Sequence, residues 1–242
     1  MKIIPAIDIK DGKCTQLVGG KAQTAKYYGS PLDSAKKWVE LGAEVLHIVD
    51  LDAALGAGNN LDNLLQIRDA VDVPIHFGGG VRDYEYCLKL LKEYKIERVA
   101  IGTLAMKDLQ TELNGGKMQL RSVPKELRER IIISIDSKGG KVVTNGWQNA
   151  TGIPATDVAK KFSGLTWGFL YTDVDVEGQM RGINLARTKD VVNATKNPVI
   201  ASGGVSSMKD IDALVKAGAW GVVLGKALYE GKFNVEKLFL KK

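Results

Sequence analysis

Short, largely apolar runs alternate along this chain with longer stretches in which apolar residues recur every three or four positions. The apolar runs are Lys2–Ile9, Val45–Asp50, Val73–Ile75, Arg98–Ile101, Ile131–Asp136, Gly168–Asp173, Val199–Ser202 and Gly221–Leu224. Continuous apolar character over so few residues predicts strands buried on both faces, as in a parallel sheet. The intervening stretches predict amphipathic helices. In the first, Ser30-Pro31 makes a cap and first position, Ala35, Trp38, Val39 and Leu41 form the apolar stripe, and Gly42 ends it. Asp11-Gly12-Lys13 predicts a turn, followed by a long polar loop to Tyr28. Further helices are predicted after Asn60, from Asp83 to Tyr94, near Ala155–Phe162, after Asn184, from Lys209 to Ala217 and at the end of the chain. Residues 104–130 read as helical material broken at Gly115-Gly116, with a new start at Ser122-Val123-Pro124, and Lys138 to Trp147 reads as a short hairpin-like loop.

Eight strand–helix units in a chain of 242 residues predict an α/β fold, a closed (β/α)8 TIM barrel in one domain spanning residues 1–242. An open doubly wound sheet is the alternative, but it does not account for an internal echo. Asp8 and Gly12-Lys13 recur as Asp136 and Gly140-Lys141, Asp50-Leu51-Asp52 as Asp173-Val174-Asp175, and Asn60 as Asn184. Gly79-Gly80 recurs as Gly203-Gly204, and Gly102 as Gly225. So long a period predicts twofold pseudo-symmetric half-barrels, about 1–124 and 125–242, with the longer loop after strand one in the first half.

The repeated features carry the candidate chemistry. Phe77-Gly78-Gly79-Gly80-Val81-Arg82 and Ala201-Ser202-Gly203-Gly204-Val205-Ser206 each follow a strand and are expected to open a helix, where clustered N–H groups attract an anion. In a barrel the active face lies at the C-terminal strand ends. Asp8 and Asp136, ending strands one and five, would face each other there, on a line crossing the one that joins the two anion cups. A ligand with a phosphate at each end would lie with its middle between two carboxylates. Their environments can hold one as a base and the other protonated.

Composition narrows the field. Hydrophobic residues make up 45% and charged residues 26%, as in ordinary globular proteins. No apolar run approaches a membrane span and Met1-Lys2-Ile3-Ile4-Pro5 is no signal peptide, so no membrane partner and a cytoplasmic location are expected. Cys14 and Cys87 are the only cysteines and His47 and His76 the only histidines, which argues against a disulfide framework or a zinc site. The net charge of +6 is interspersed with acids, as in Lys89-Leu90-Leu91-Lys92-Glu93, and implies a solvated surface rather than a nucleic-acid partner.

The ordered set Pro5-Ala6-Ile7-Asp8-Ile9-Lys10-Asp11-Gly12-Lys13-Cys14, His47-Ile48-Val49-Asp50-Leu51-Asp52, the two glycine-rich turns, Ile101-Gly102-Thr103-Leu104-Ala105, Ile135-Asp136-Ser137-Lys138, Gly146-Trp147, Tyr171-Thr172-Asp173 and Gly225-Lys226-Ala227-Leu228-Tyr229-Glu230-Gly231 resembles the ProFAR (phosphoribosylformimino-aminoimidazole carboxamide ribotide) isomerase family of histidine biosynthesis. The resemblance runs through essentially the whole chain. It implies an Amadori rearrangement, aminoaldose to aminoketose, of a bisphosphorylated small molecule. It further implies Asp8 as general base, Asp136 as general acid and Thr172 bonding near the reacting sugar, with no metal, no cofactor and no obligate protein partner. Gly79, Gly80, Gly102 and Thr103 would hold one phosphate, and Gly203, Gly204, Gly225 and Lys226 the other. Arg82 would reach a phosphate or form a surface salt bridge. Trp147 would stack on the imidazole or pack in its own turn, and His47 would touch substrate or fill the barrel, while His76 and both cysteines are left as structural. Two features depart from the family: many relatives carry Arg at the position of Gln16, and Asp-Gly-Thr at Glu177-Gly178-Gln179. The competing readings are the cyclase subunit of imidazole glycerol phosphate synthase, a dual isomerase also acting on phosphoribosyl anthranilate, and a non-catalytic phosphate-binding barrel.

Overall fold

A computed structural model describes residues 1–240 of the chain. The first half holds β1 (Lys2–Lys10), β2 (Lys13–Val18), β3 (Lys21–Tyr27), α1 (Pro31–Glu40), β4 (Leu46–Asp50), α2 (Leu51–Leu55), α3 (Leu61–Ala70), β5 (Ile75–Gly78), α4 (Tyr84–Lys92), β6 (Arg98–Ile101) and α5 (Thr103–Leu113). A 3-10 turn (Gln119–Ser122) and α6 (Lys125–Arg128) lead into the second. There follow β7 (Ile131–Lys138), β8 (Lys141–Thr144), β9 (Asn149–Pro154), α7 (Ala155–Phe162), β10 (Gly168–Asp173), α8 (Leu185–Asn193), β11 (Val199–Ser202), α9 (Met208–Lys216), β12 (Gly221–Leu224), α10 (Lys226–Tyr229) and α11 (Val235–Leu240).

Eight parallel strands pair in the order β1-β4-β5-β6-β7-β10-β11-β12, and β12 returns to β1 through Lys2↔Gly221 to Pro5↔Leu224. The β6–β7 seam joins the halves in register from Val99↔Ile131 to Ile101↔Ile133, and within the second half β7 pairs β10 from Gly168↔Ile132 to Asp173↔Ser137. The ring is therefore the closed barrel that the alternation of strands and helices predicts. β1 and β7 lie four strands apart on it, and so do the β5–β6 and β11–β12 pairs.

Side chains alternate across each strand. One set points outward and packs under the helices, for example Ile7 and Ile9 on β1, Ile133 and Ile135 on β7 and Phe169 and Tyr171 on β10. The other fills the barrel: Ile4, Ala6, Ala100, Ile132, Leu170 and Val223 belong to a separate buried cluster, against which Trp167 and Trp220 pack. Arg98 lies 4.3 Å over the Trp167 ring, and the buried His76 sits against both tryptophans.

The polar stretch before Tyr28 is not a loop. β2 pairs antiparallel with β1 (Asp8↔Thr15) and β3 with β2, which folds it into a hairpin. Its counterpart, β8–β9, grows from β7 (Ser137↔Val142) and is shorter, as the repeat spacing implies. The helix starts follow their capping signals: Ser30 accepts the Asp33 amide at 3.2 Å, and Asn184 accepts that of Arg187 at 3.3 Å. Of the short helices, α2 is capped by Asp50, which accepts the Ala53 amide at 3.0 Å, and ends at the left-handed Gly56, whereas α10 has no side-chain cap.

The repeated Asp-x-Asp segments lock each half. Asp52 accepts the Asp11 amide at 2.7 Å, and Asp175 accepts the Gly139 amide at 2.8 Å, so each ties down the turn after strand one or five. In the first half Asn60 Nδ2 bridges Asp50 (2.8 Å) and Asp52 (2.9 Å), both buried. In the second half Arg187 bonds Asp173 (3.2 Å) and Asp175 (2.6 Å) instead. Asn60→Ala removes the side-chain donor shared by two buried carboxylates, which keep their backbone N–H donors, and is expected to destabilise the fold by about 1.5–3 kcal/mol. Asn184→Ala removes only a cap and is expected to cost about 1 kcal/mol. Urea midpoints of the two variants check the difference.

Candidate active site

The C-terminal strand ends open into a cavity of about 590 Å3. Asp8 and Asp136 both line it, from opposite strands, and Glu177, in the turn after β10, lines it with them. All three residues are half-buried and border the cavity. Burial, reinforced by the charge of Glu177, pushes Asp8 up to about 7. Burial, reinforced by Asp136, pushes Glu177 up to about 7 as well. Asp136 is also raised by burial, against which hydrogen bonds from Trp147 and Thr172 pull it back. Glu177 thus feels one aspartate and acts on the other. Sequence reasoning noted it only as a departure; its signal was an acid on the same barrel mouth, one turn beyond Asp173.

His47 lines the cavity from β4, buried and lowered to about 4 by desolvation, so it is a neutral imidazole there. His76, one layer deeper, is lowered to about 3 by burial and then by His47 and Arg98. Thr172 donates to Asp136 from the adjacent strand, in register with it. Trp147 does so from the β8–β9 turn, while its ring lies where a β-carbon on Gly20 would collide with it. It therefore touches the first-half hairpin as well as Asp136, a packing contact outside its own turn.

The glycine turns match in conformation. Gly79 and Gly80 have φ of 99° and 72°, and Gly203 and Gly204 have 100° and 75°. A β-carbon on Gly79 would lie 2.8 Å from Asp50 N, and one on Gly203 2.8 Å from Asp173 O. Both the left-handed backbone and the close approach of the neighbouring loop therefore demand glycine. These turns do not open helices directly, contrary to the expectation from sequence. α4 starts at Tyr84, its first-turn amide already taken by Asp83 (2.7 Å to Tyr86 N), and α9 is closed by a Ser207–Asp210 capping box. The helices that begin at the cavity wall are α5 and α10. Gly102 and Gly225 precede them with no side-chain cap, so their first amides are free of one.

Each cup thus combines a glycine turn from one strand with an uncapped helix start from the next. The first also holds Thr103, whose hydroxyl accepts the Asn145 amide at 3.1 Å, and Arg82, which is exposed and donates to Ala53 O at 3.0 Å rather than to an acid. The second holds Lys226, whose ammonium reaches Gly178 O at 3.4 Å.

The sequence profile of the histidine biosynthesis protein family matches residues 2–234. The chain belongs to that family. It is 43% identical over 242 residues to a protein of Persephonella marina, covering 98% of this chain and 97% of that protein. It is 44% identical to one of Haloquadratum walsbyi (97% of this chain, 93% of that protein) and 39% identical to one of Methanocaldococcus jannaschii (98% and 97%). Each of these relatives is a 1-(5-phosphoribosyl)-5-((5-phosphoribosylamino)methylideneamino) imidazole-4-carboxamide isomerase. Among the described residues of this member of the family, no helix is long and apolar enough to cross a membrane.

The raised carboxylates carry a cost in stability. A buried acid whose proton affinity is raised by folding favours the folded state while protonated. That contribution is lost as pH rises from the ordinary carboxylate range through about 7. Asp8→Asn is therefore expected to stabilise the fold at pH 8 by on the order of 2 kcal/mol and far less at pH 4. Thermal unfolding at the two pH values checks this.

Proposed function

We propose that this chain is the ProFAR isomerase of histidine biosynthesis, converting the aminoaldose ProFAR to its aminoketose PRFAR, with residues 1–242 acting as one domain of two half-barrels. The observation that carries the site assignment is the crossing of two carboxylates on opposite strands with two uncapped-amide cups on the other opposite strands, within one cavity. ProFAR has a phosphate at each end, and its reacting ribose would lie between the carboxylates. Its relatives at 39–44% identity carry the name of this isomerase over nearly their full length.

On this reading one phosphate takes the amides of Gly79, Gly80, Gly102 and Thr103, with Arg82 at the rim. The other takes those of Gly203, Gly204 and Gly225, with the ammonium of Lys226. Asp136, whose carboxyl is raised by burial, serves as the acid and donates its proton to the ribose ring oxygen. The C1′–O bond breaks and the nitrogen lone pair forms the C1′=N bond of a Schiff base. Asp8, ionised, removes the C2′ proton, and the electron pair moves to give an enolamine. Reprotonation at C1′ and formation of the C2′ carbonyl give the aminoketose. Thr172 orients Asp136, Trp147 offers an aromatic face to the imidazole carboxamide, and His47 meets the substrate as a neutral group. The net change is an internal proton transfer, with a small molecule as the only partner the chemistry requires.

Purified protein is expected to convert ProFAR without added ammonia, which a cyclase does not do. Asp8→Asn and Asp136→Asn are each expected to lower kcat by about a thousandfold or more while ProFAR still binds. Activity is expected to fall as pH drops through about 7, where Asp8 takes up its proton. Near-normal turnover by Asp8→Asn would remove it as the base.

A further inference from the structure

We propose that Gln16 is a positioning residue for Asp8, an uncharged tether running from the base to the phosphate cup at Gly225. The proposal rests on the reading of Asp8 as the base and of Gly225 as part of the second cup.

Gln16 is one residue beyond Thr15, the cross-strand partner of Asp8, and is only 4% exposed. A long amide side chain in such a position needs polar company. Its Nε2 donates to Asp8 Oδ2 at 3.4 Å. Its other end fills the space above Gly225. A β-carbon added there would collide with Gln16 Oε1 and lie 3.3 Å from its Cδ. The counterpart in the first cup, Gly102, has room: a β-carbon there would meet Ser134 Cβ at an ordinary 3.5 Å. The φ of Gly225 is −103°, outside the left-handed region, so the Gln16 side chain supplies a spatial reason for glycine at this place.

The two hairpins act alike. β2 of the first sends the Gln16 amide to Asp8, and the β8–β9 turn of the second sends the Trp147 indole N–H to Asp136. Each aspartate therefore receives one N–H donor from the hairpin that grows out of its own strand, and in both cases the donor is uncharged. The titratable groups around Asp8 are Glu177 after β10, the Cys14 thiol on β2, the Tyr229 hydroxyl and Lys226 ammonium on α10, and neutral His47 on β4. Lys226 bonds the backbone beside Glu177 rather than Asp8. Residue 16 is thus the place where a side-chain charge acts on Asp8 most directly. A carboxamide there fixes the rotamer of the base without the field of a cation, which would keep the carboxylate ionised but make it a weaker base.

The test is steady-state ProFAR turnover from pH 5 to 9 for the wild type, Gln16→Leu, Gln16→Arg, Gln16→Glu and Gly225→Ala, with Asp8→Asn as reference. Gln16→Leu is expected to lower kcat about tenfold, with KM within about threefold. The acidic limb is expected to move down by about one pH unit in Gln16→Arg and up by about as much in Gln16→Glu. Loss of the N–H donor raises the limb, so Gln16→Leu and Gly225→Ala, which displaces the carboxamide, are both expected to move it up, and Gly225→Ala serves if the Gln16 variants do not fold. Folded variants whose limbs coincide with the wild type, beside an inactive Asp8→Asn, would overturn the tether and leave the base assignment standing. An active Asp8→Asn would overturn both.

Discussion

A closed ring of parallel strands allows every second side chain only one place to go, and the site of this protein is a product of that constraint. On β1 the inward series runs Ile4, Ala6, Asp8; on β7 it runs Ile132, Ser134, Asp136. Each column passes from apolar filling to a carboxylate in two steps of the pleat, so the acids lie above a dry layer and below open solvent. This placement is what makes their ionisation expensive: burial raises both carboxyls, Asp8 to about 7. The outward series on the same strands, Ile7 and Ile9 or Ile133 and Ile135, anchors the helices. Core and site are interleaved residue by residue, and neither could shift register without the other.

The barrel was legible in the sequence because both faces of its strands are buried, which leaves short apolar runs without polar interruption. Opposed positions of Asp8 and Asp136 followed from the repeat once a closed ring was assumed. The hairpin β2–β3 was not legible. Its residues Lys21 to Tyr27 are mostly exposed and polar, so the strand is held by pairing with β2 rather than by burial, and no apolar period marks it. Glu177 was visible as an acid but not as a neighbour of both aspartates, because its turn after β10 has no periodicity from which to infer a direction. The glycine turns stand out in the sequence as a repeated motif, and their conformation gives a reason for glycine apart from anion binding. Their left-handed backbone and tight approach to Asp50 and Asp173 require glycine whether or not an anion is present. The helix starts facing the cavity are those behind Gly102 and Gly225, which carry no caps.

The distribution of polar contacts separates two classes of acid around the C-terminal strand ends. Asp50, Asp52, Asp173 and Asp175 receive two or more N–H donors or a guanidinium and act as ties between loops. Asp8 has one long bond from Gln16, and its nearest charge is another acid. The first class spends its hydrogen-bonding capacity on structure, and the second keeps most of it for whatever enters the cavity. The same residue type at the ends of neighbouring strands is thereby divided between loop ties and cavity wall by what surrounds it.

The unlike ties of the two halves have a consequence for symmetry. The first half joins its Asp-x-Asp pair through the Asn60 amide, and the second through the Arg187 guanidinium. The halves share a backbone plan but have settled their electrostatic balance separately. A barrel assembled from two copies of the second half would carry a guanidinium in both locks, whereas two copies of the first would enclose four carboxylates with only amides between them. Interchangeable geometry therefore does not make the halves interchangeable modules, and a perfectly twofold version of this protein would differ in charge before it differed in shape.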